Sequence, residues 1–321
     1  MSSQQRLTIY TEGDSVRGLG HLTRCKGYAQ QWTSMGGVTR WIVDGDEGAR
    51  RALAEEGHVQ WRRWQSDRGP VENTDVALVD SYSADLDVLE AIAARTGRAI
   101  FIDDLFRLPY PQGLVVHSSP GPIDGERGQA RWLTGPRWHP MREAFWDVAQ
   151  RAEPRTPIGR ALVLAGGVDH RGISGRIART IANALPEARI DLVAGAGAKP
   201  PVDLPSNIRL HQGLAADEMR DLMLAADVAV SAAGQTLYEL ARCGCPTFLF
   251  GVADNQRRHM AYWSETGAGR VVGWWDDPAL ETNILDGLHA LSLEDRIAMS
   301  QAGPRLVDGQ GIRRLVAEVT T

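Results

Sequence analysis

The 321 residues are 43% hydrophobic and 23% charged, the balance of an ordinary globular chain, and are long enough that two domains are expected. A net charge of −5 argues against a nucleic-acid surface, which carries a basic excess. No apolar stretch approaches bilayer length, Met1–Arg6 leads into a strand without a signal-peptide core, and only three cysteines are present, so a cytoplasmic protein without disulfides or a membrane span is expected.

The first apolar run, Leu7-Thr8-Ile9-Tyr10, reads as a buried strand because it is short, β-branched or aromatic, and bounded by polar residues. Behind it come Glu12-Gly13-Asp14 and the segment Gly18-Leu19-Gly20-His21-Leu22-Thr23-Arg24, which opens a helical pattern from His21 to about Met35. A glycine-rich turn between strand and helix brings backbone N–H groups close to a ligand and aims a helix N-terminus at negative charge. His21 stands at that mouth, and imidazole is the side chain best suited to proton transfer near neutrality. A helix-capping turn with a surface histidine accounts for the same residues equally well. Further strands follow at Trp41–Val43, Val76–Val79, Ala99–Ile102 and Leu114–Val116, with helices over Glu47–Glu56 and Ala84–Thr96. The alternation predicts a parallel sheet covered by helices on both faces, with ligand groups at the strands' carboxyl ends. Asp14, Tyr82, Asp103 and Asp104 all lie just past strand ends.

Gln150–Gly159, polar and with two prolines, is the expected linker between domains at 1–152 and 158–321, with a return of the last helices to the first domain allowed for. A second α/β series then begins at the strand Ala161–Ala165 and the turn Gly166-Gly167-Val168-Asp169-His170. It continues through a helix at Ile173–Leu185, strands at Ile190–Ala194 and Ile208–Leu210, and a helix at Ala216–Ala226. The strand Asp227–Ser231, the helix Thr236–Cys243 and the strand Thr247–Phe250 come next. A helix at Asp254–Gly267, a strand at Val271–Gly273 and helices near 278–291, 293–302 and 310–320 close the chain.

The second candidate site is Ser231-Ala232-Ala233-Gly234-Gln235-Thr236-Leu237-Tyr238-Glu239-Leu240. Small residues at 232–234 leave backbone amides open at a helix start, which favours a phosphate. Glu239, about one turn later, is placed to reach a ribose diol; tight strand–helix packing is the competing explanation. Asn255 and Gln256 follow a buried strand and suit either a ligand contact or a helix cap. Gly166 and Gly167 are a weaker cradle for a sugar or second phosphate. Asp103-Asp104 reads as a hydrogen-bonding pair, not a metal pair, and Cys243 and Cys245 lack the further His or Cys ligands of a metal site, so no metal or other cofactor is expected.

Taken in order, Gly18–Arg24, Val79-Asp80-Ser81-Tyr82, Ile102-Asp103-Asp104, Gly135-Pro136-Arg137-Trp138-His139-Pro140-Met141-Arg142, Gly166–Asp169 and Gly234–Glu239 resemble the nucleotide-sugar hydrolase of pseudaminic acid biosynthesis and its spore-coat polysaccharide relatives. The resemblance spans roughly residues 7 to 270. It implies the GT-B fold, two doubly wound Rossmann-like α/β domains with a nucleotide-sugar in the cleft between them, similar to the MurG glycosyltransferase. It further implies His21 as general base, with Asp14 and Tyr82 beside the reaction and Gly18, Gly20, Arg24 and Asp103 toward the sugar. The segment Gly234, Gln235, Thr236 to Glu239, with Asn255 and Gln256, would hold uridine diphosphate; Ala233, Gly166 and Gly167 are the further binding candidates. The reaction implied is metal-free release of UDP from a UDP-linked amino- or deoxy-sugar. Two departures fall on presumed contacts: Thr11–Asp14 stands where the family has an Arg-Ala-Asp type segment, and Gln235 where it has serine. A glycosyltransferase using an acceptor hydroxyl and a non-catalytic nucleotide-sugar-binding protein are the competing functions.

Overall fold

The computed structural model describes residues 4–67, 71, 73–119, 128–166, 169, 172–195 and 201–320. The chain divides into two compact units, Met1–Arg142 together with Gln310–Thr321, and Glu143–Gly309. The expected linker at 150–159 thus lies inside the second unit, and the last helix belongs to the first.

The first unit is built on a seven-stranded parallel sheet. Its strands are β1 (Arg6–Gly13), β2 (Val38–Gly45), β3 (Val59–Trp61), β4 (Thr74–Asp80), β5 (Thr96–Ile102), β6 (Leu114–His117) and β7 (Arg131–Thr134), and they lie in the order β3-β2-β1-β4-β5-β6-β7. Strand β1 is buried along all but its first residue, as a central parallel strand covered on both faces must be. Helices α1 (Gly20–Ser34), α2 (Glu47–Ala52) and α3 (Leu86–Ala93) connect the strands. One apolar core lies under α3, where Val88, Leu89 and Ile92 meet Tyr10, Val79 and Phe101. The strands β3 and β7 were not foreseen, and helices α2 and α3 are shorter than the sequence suggested.

The second unit carries six parallel strands: β8 (Arg160–Leu164), β9 (Arg189–Ala194), β10 (Ile208–Gln212), β11 (Val228–Ala232), β12 (Thr247–Gly251) and β13 (Arg270–Trp274), in the order β10-β9-β8-β11-β12-β13. Its helices are α4 (Ile173–Ala184), α5 (Ala216–Ala225), α6 (Thr236–Arg242), α7 (Arg257–Glu265), α8 (Leu280–Ala290) and α9 (Leu293–Leu306). Ile177, Ile181, Phe248, Ile284 and Met299 fill its core. Helix α9 comes so close to α6 that a Cβ on Gly303 would lie 2.5 Å from the Ala241 carbonyl oxygen. Helix α10 (Gly311–Thr320) returns to the first unit, where it packs on α1 and buries Ile312, Leu315, Val316 and Val319.

In each sheet the strand order reverses once, between β1 and β4 and between β8 and β11. Ligands of doubly wound sheets bind outside the carboxyl ends of the strands at such a reversal. Glu12–Asp14 and Asp80–Tyr82 flank the first, and Ala165–Gly166 and Ala232–Gly234 the second. Among the described residues no helix is long and apolar enough to cross a membrane.

Candidate active site

At the first reversal, β1 runs into a turn closed by the Gly18 amide on the Asp14 carbonyl, 2.8 Å, with Gly18 at a φ of 78° that side chains other than glycine's strain to adopt. Helix α1 starts directly after it with no side-chain cap and no acidic residue in its first turn. The leading amides of α1 are left as the positive end of a 15-residue helix. Gly20 is exposed, with open space where a side chain would stand.

His21 and Arg24 sit one turn apart on α1 and reach the end of β4 together. His21 Nδ1 lies 2.7 Å from Asp80 Oδ1, and both side chains are buried. A carboxylate at that distance makes Nδ1 the donor and leaves Nε2 as the lone-pair nitrogen. Arg24 also donates to Asp80, through Nε and through Nη2 at 2.6 Å, and its Nη1 pairs with Asp104 past β5. Burial alone would push the Asp80 carboxyl up, yet Arg24 and His21 hold it below the usual carboxylate range. Asp104 is treated alike: against the burial that would raise it, Arg24's charge and hydrogen bond and the Tyr82 hydroxyl bring it down to about 2. Burial also opposes the charge on Arg24, but the two carboxylates hold its guanidinium firmly protonated. The result is a buried cation between two anions, one of which orients an imidazole.

Tyr82 donates its hydroxyl to Asp104 at 2.9 Å and stands edge-on to the His21 ring, centroids 4.5 Å apart. Burial and the Asp104 charge both push the phenol up, so it remains a donor. The residue is still 42% exposed. Asp103 and Asp104 point to different sides. Asp103 is buried and caps its own loop through the Leu105 amide, 2.6 Å, and the Arg107 amide, 2.9 Å. The sugar-side role expected of Asp103 therefore suits Asp104 better. Asp14 is likewise committed to its turn, accepting the amides of Val16 and Arg17 and the Arg17 Nε. Asp80 and Glu12 received no role of their own from the sequence, and Asp104 only that of half a hydrogen-bonding pair. The strand-end position of Asp80 within Val79-Asp80-Ser81-Tyr82 was the available signal.

At the second reversal the Ala233 and Gly234 amides are taken by backbone carbonyls, those of Phe250 and Ala232. Ala233 is fully buried, while Gly234 has open space at its Cα. The first closure of α6 is from the Leu237 amide to the Gly234 carbonyl, so the amides of Gln235 and Thr236 precede the helical ladder. Gln235 is exposed, and Thr236 and Glu239 are half-buried. His259 Nε2 and the Tyr238 hydroxyl, 2.9 Å apart and both buried, brace this turn from within. The Gln256 side-chain oxygen Oε1 accepts the Val252 amide at 2.8 Å, which makes it a loop-closing group; the Asn255 side chain and Gly167 lie outside the described residues. Gly166 follows β8, but the start of α4 is taken by Asp169, which accepts the Ile173 and Ser174 amides. With an anion already capping α4, a phosphate is better served at the Gly234 turn. Among the described residues no three His, Cys, Asp or Glu side chains gather as metal ligands would.

No family model matches the chain. The spore coat polysaccharide biosynthesis protein SpsG of Bacillus subtilis is 22% identical over 335 residues, covering 96% of each chain. Among solved structures, MurG of Acinetobacter baumannii matches with a TM-score of 0.70 at 12% identity, over 98% of this chain and 99% of that one. The spinosyn rhamnosyltransferase SpnG, solved with thymidine diphosphate, matches at 0.64 and 14%, over 99% of this chain and 100% of its own. The chain is thus similar in sequence to SpsG along almost its whole length and shares the GT-B fold of these solved glycosyltransferase structures.

Proposed function

We propose that this chain is a nucleotide-sugar enzyme, specifically a hydrolase that releases UDP from a UDP-linked amino- or deoxy-sugar with His21 as general base. The observation that carries the reading is the 2.7 Å contact between His21 Nδ1 and the buried Asp80. It makes Nδ1 the donor toward Asp80 and supplies an anion against which the imidazolium can form. His21 Nε2 takes a proton from water as the water oxygen bonds to the anomeric carbon. The bond from that carbon to the diphosphate oxygen breaks, and its electron pair leaves with UDP. A diphosphate is a good leaving group, so proton donation to it is not required. Tyr82 and Asp104 lie on the sugar side, and Arg24 keeps Asp80 ionised. The Gln235 and Thr236 amides at the Gly234 turn receive the diphosphate, and Glu239 the ribose.

A glycosyltransferase is the second reading, favoured by the likeness to a rhamnosyltransferase. It uses the same base on an acceptor hydroxyl. Incubation with UDP- and thymidine-diphosphate-linked sugars separates the two. Steady diphosphate release without acceptor is expected, whereas release only after an acceptor is added would turn the reading to transfer. His21→Ala should abolish release while leaving nucleotide binding intact; full activity in that variant would remove His21 from the mechanism.

A further inference from the structure

We propose that Glu12 is a positioning residue for the His21 site, one buried carboxylate that sets the Tyr82 segment and the glycine turn against each other. The inference rests on the reading of His21 as the base. Glu12 lies at the carboxyl end of β1, 1% exposed, and uses both oxygens. Oε1 accepts the Tyr82 amide at 2.7 Å. Oε2 accepts the Ser83 hydroxyl, the Gln65 side-chain amide at 2.6 Å and Arg17 Nη1 at 2.9 Å. These donors come from three separate places: the loop after β4, the loop after β3, and the turn that leads into α1.

A carboxylate that served only to cap its own strand would draw its donors from nearby residues, as Asp103 and Asp14 do. Glu12 instead joins positions 53, 70 and 71 residues away. What it holds is catalytic in location, since the Tyr82 ring whose amide it fixes stands edge-on against the imidazole. Its fourth donor, Arg17, bridges Glu12, Asp14 and Asp44, and so pins the turn from which α1 and His21 begin. Burial would raise the Glu12 carboxyl, but the donated hydrogen bonds from Ser83, Tyr82 and Gln65 outweigh it and hold it low, so the group works as an anion. Neutralising it without changing its shape places a donor NH2 among donors.

The test uses the full chain with Glu12→Gln and Glu12→Asp. The His21 ring-proton resonances, identified by their loss in His21→Ala, report the ring current of Tyr82 without reference to activity. Glu12→Gln is expected to shift them, and to shift them no further in a Tyr82→Ala background. The kcat for diphosphate release should fall roughly 10- to 100-fold with KM little changed, the cost of small misplacements at a reacting centre. Glu12→Asp, which keeps the charge, should recover part of that loss. A folded Glu12→Gln with unmoved His21 resonances overturns the proposal, as does an equal shift with and without Tyr82. If Glu12→Gln does not fold, Glu12→Asp is read by the same two measures, and unmoved signals there overturn it as well. Wild-type protein inert toward every nucleotide-sugar would defeat the hydrolase reading, while the resonances still decide the role of Glu12.

Discussion

Replacing Arg24 with methionine roughly keeps the volume of the side chain and removes the guanidinium that pairs with both Asp80 and Asp104. The size of the effect follows from the geometry. Holding Asp104 at about 2 against an ordinary 3.8 corresponds to about 2.5 kcal/mol of native-state stabilisation, with little solvent discount for a side chain 9% exposed. Asp80, fully buried, loses the same partner and keeps only His21. Stripping the partner from a buried ion pair costs about 3–5 kcal/mol, which sets the expected total at pH 7. In urea that moves the unfolding midpoint of the first unit down by about 1–2 M. The pH dependence gives the sharper test. In the wild type Asp104 has a depressed folded pKa, so its stabilisation is present above about pH 4 and disappears as pH falls toward 2. In Arg24→Met the two carboxylates are buried without a cation, their folded pKa values rise above the unfolded ones, and acid relieves the variant while it weakens the wild type. Urea titrations followed by far-ultraviolet circular dichroism from pH 7 to pH 3 should therefore show the two midpoints converging. A gap that stays constant with pH, or one below about 0.5 M at pH 7, would refute the account of Arg24 as the charge that makes this site affordable to the fold.

Three further outcomes are expected. Asp80→Asn should lower kcat for diphosphate release by about 10²–10⁴-fold with nucleotide affinity retained, because the imidazole loses its orienting anion; steady-state kinetics that differ by less than about threefold would sink the dyad. Its cost in stability should be smaller than that of Arg24→Met, since Arg24 keeps Asp104. Glu239→Ala should weaken UDP binding measured by calorimetry, and unchanged affinity would take away its ribose role. Gly303→Ala should lower the melting temperature of the second unit through an overpacking cost of about 1–3 kcal/mol, because the new methyl meets the Ala241 carbonyl of α6; an unchanged melting curve would mean that the two helices separate freely.

Strands such as β1, β4 and β12 were legible because their apolar runs sit in the middle of a parallel sheet, where burial on both faces writes a continuous signal; the edge strands β10 and β13 were read from the short apolar runs Ile208–Leu210 and Val271–Gly273. Strand β3 at the sheet edge has no residue fully buried, and β7 has one, so neither carries that signal. His21, Arg24 and Tyr82 were readable because a glycine turn and a strand end mark them locally. Asp80 and Glu12 were not, because all their partners but Arg17 stand 53 to 71 residues away and a carboxylate at the end of a strand reads as solvent-facing until the partners are known. Asp103 and Asp104 illustrate the same limit: adjacent in sequence and alike in type, they are separated only by which way the loop turns.

The return of α10 to the first unit bears on how this molecule is made. Every residue of the second unit has been synthesised once Gly309 leaves the ribosome, whereas the first unit still lacks the helix that covers α1. Until Ile312, Leu315, Val316 and Val319 arrive, the part of α1 that α10 covers stays wet, and α1 is the helix that carries His21 and Arg24. Domain folding in the order of synthesis is therefore inverted here: the later unit can close first, and the unit bearing the imidazole closes last. A fragment cut after Arg142 would hold every residue of the His21 site and still lack the packing that makes its helix rigid.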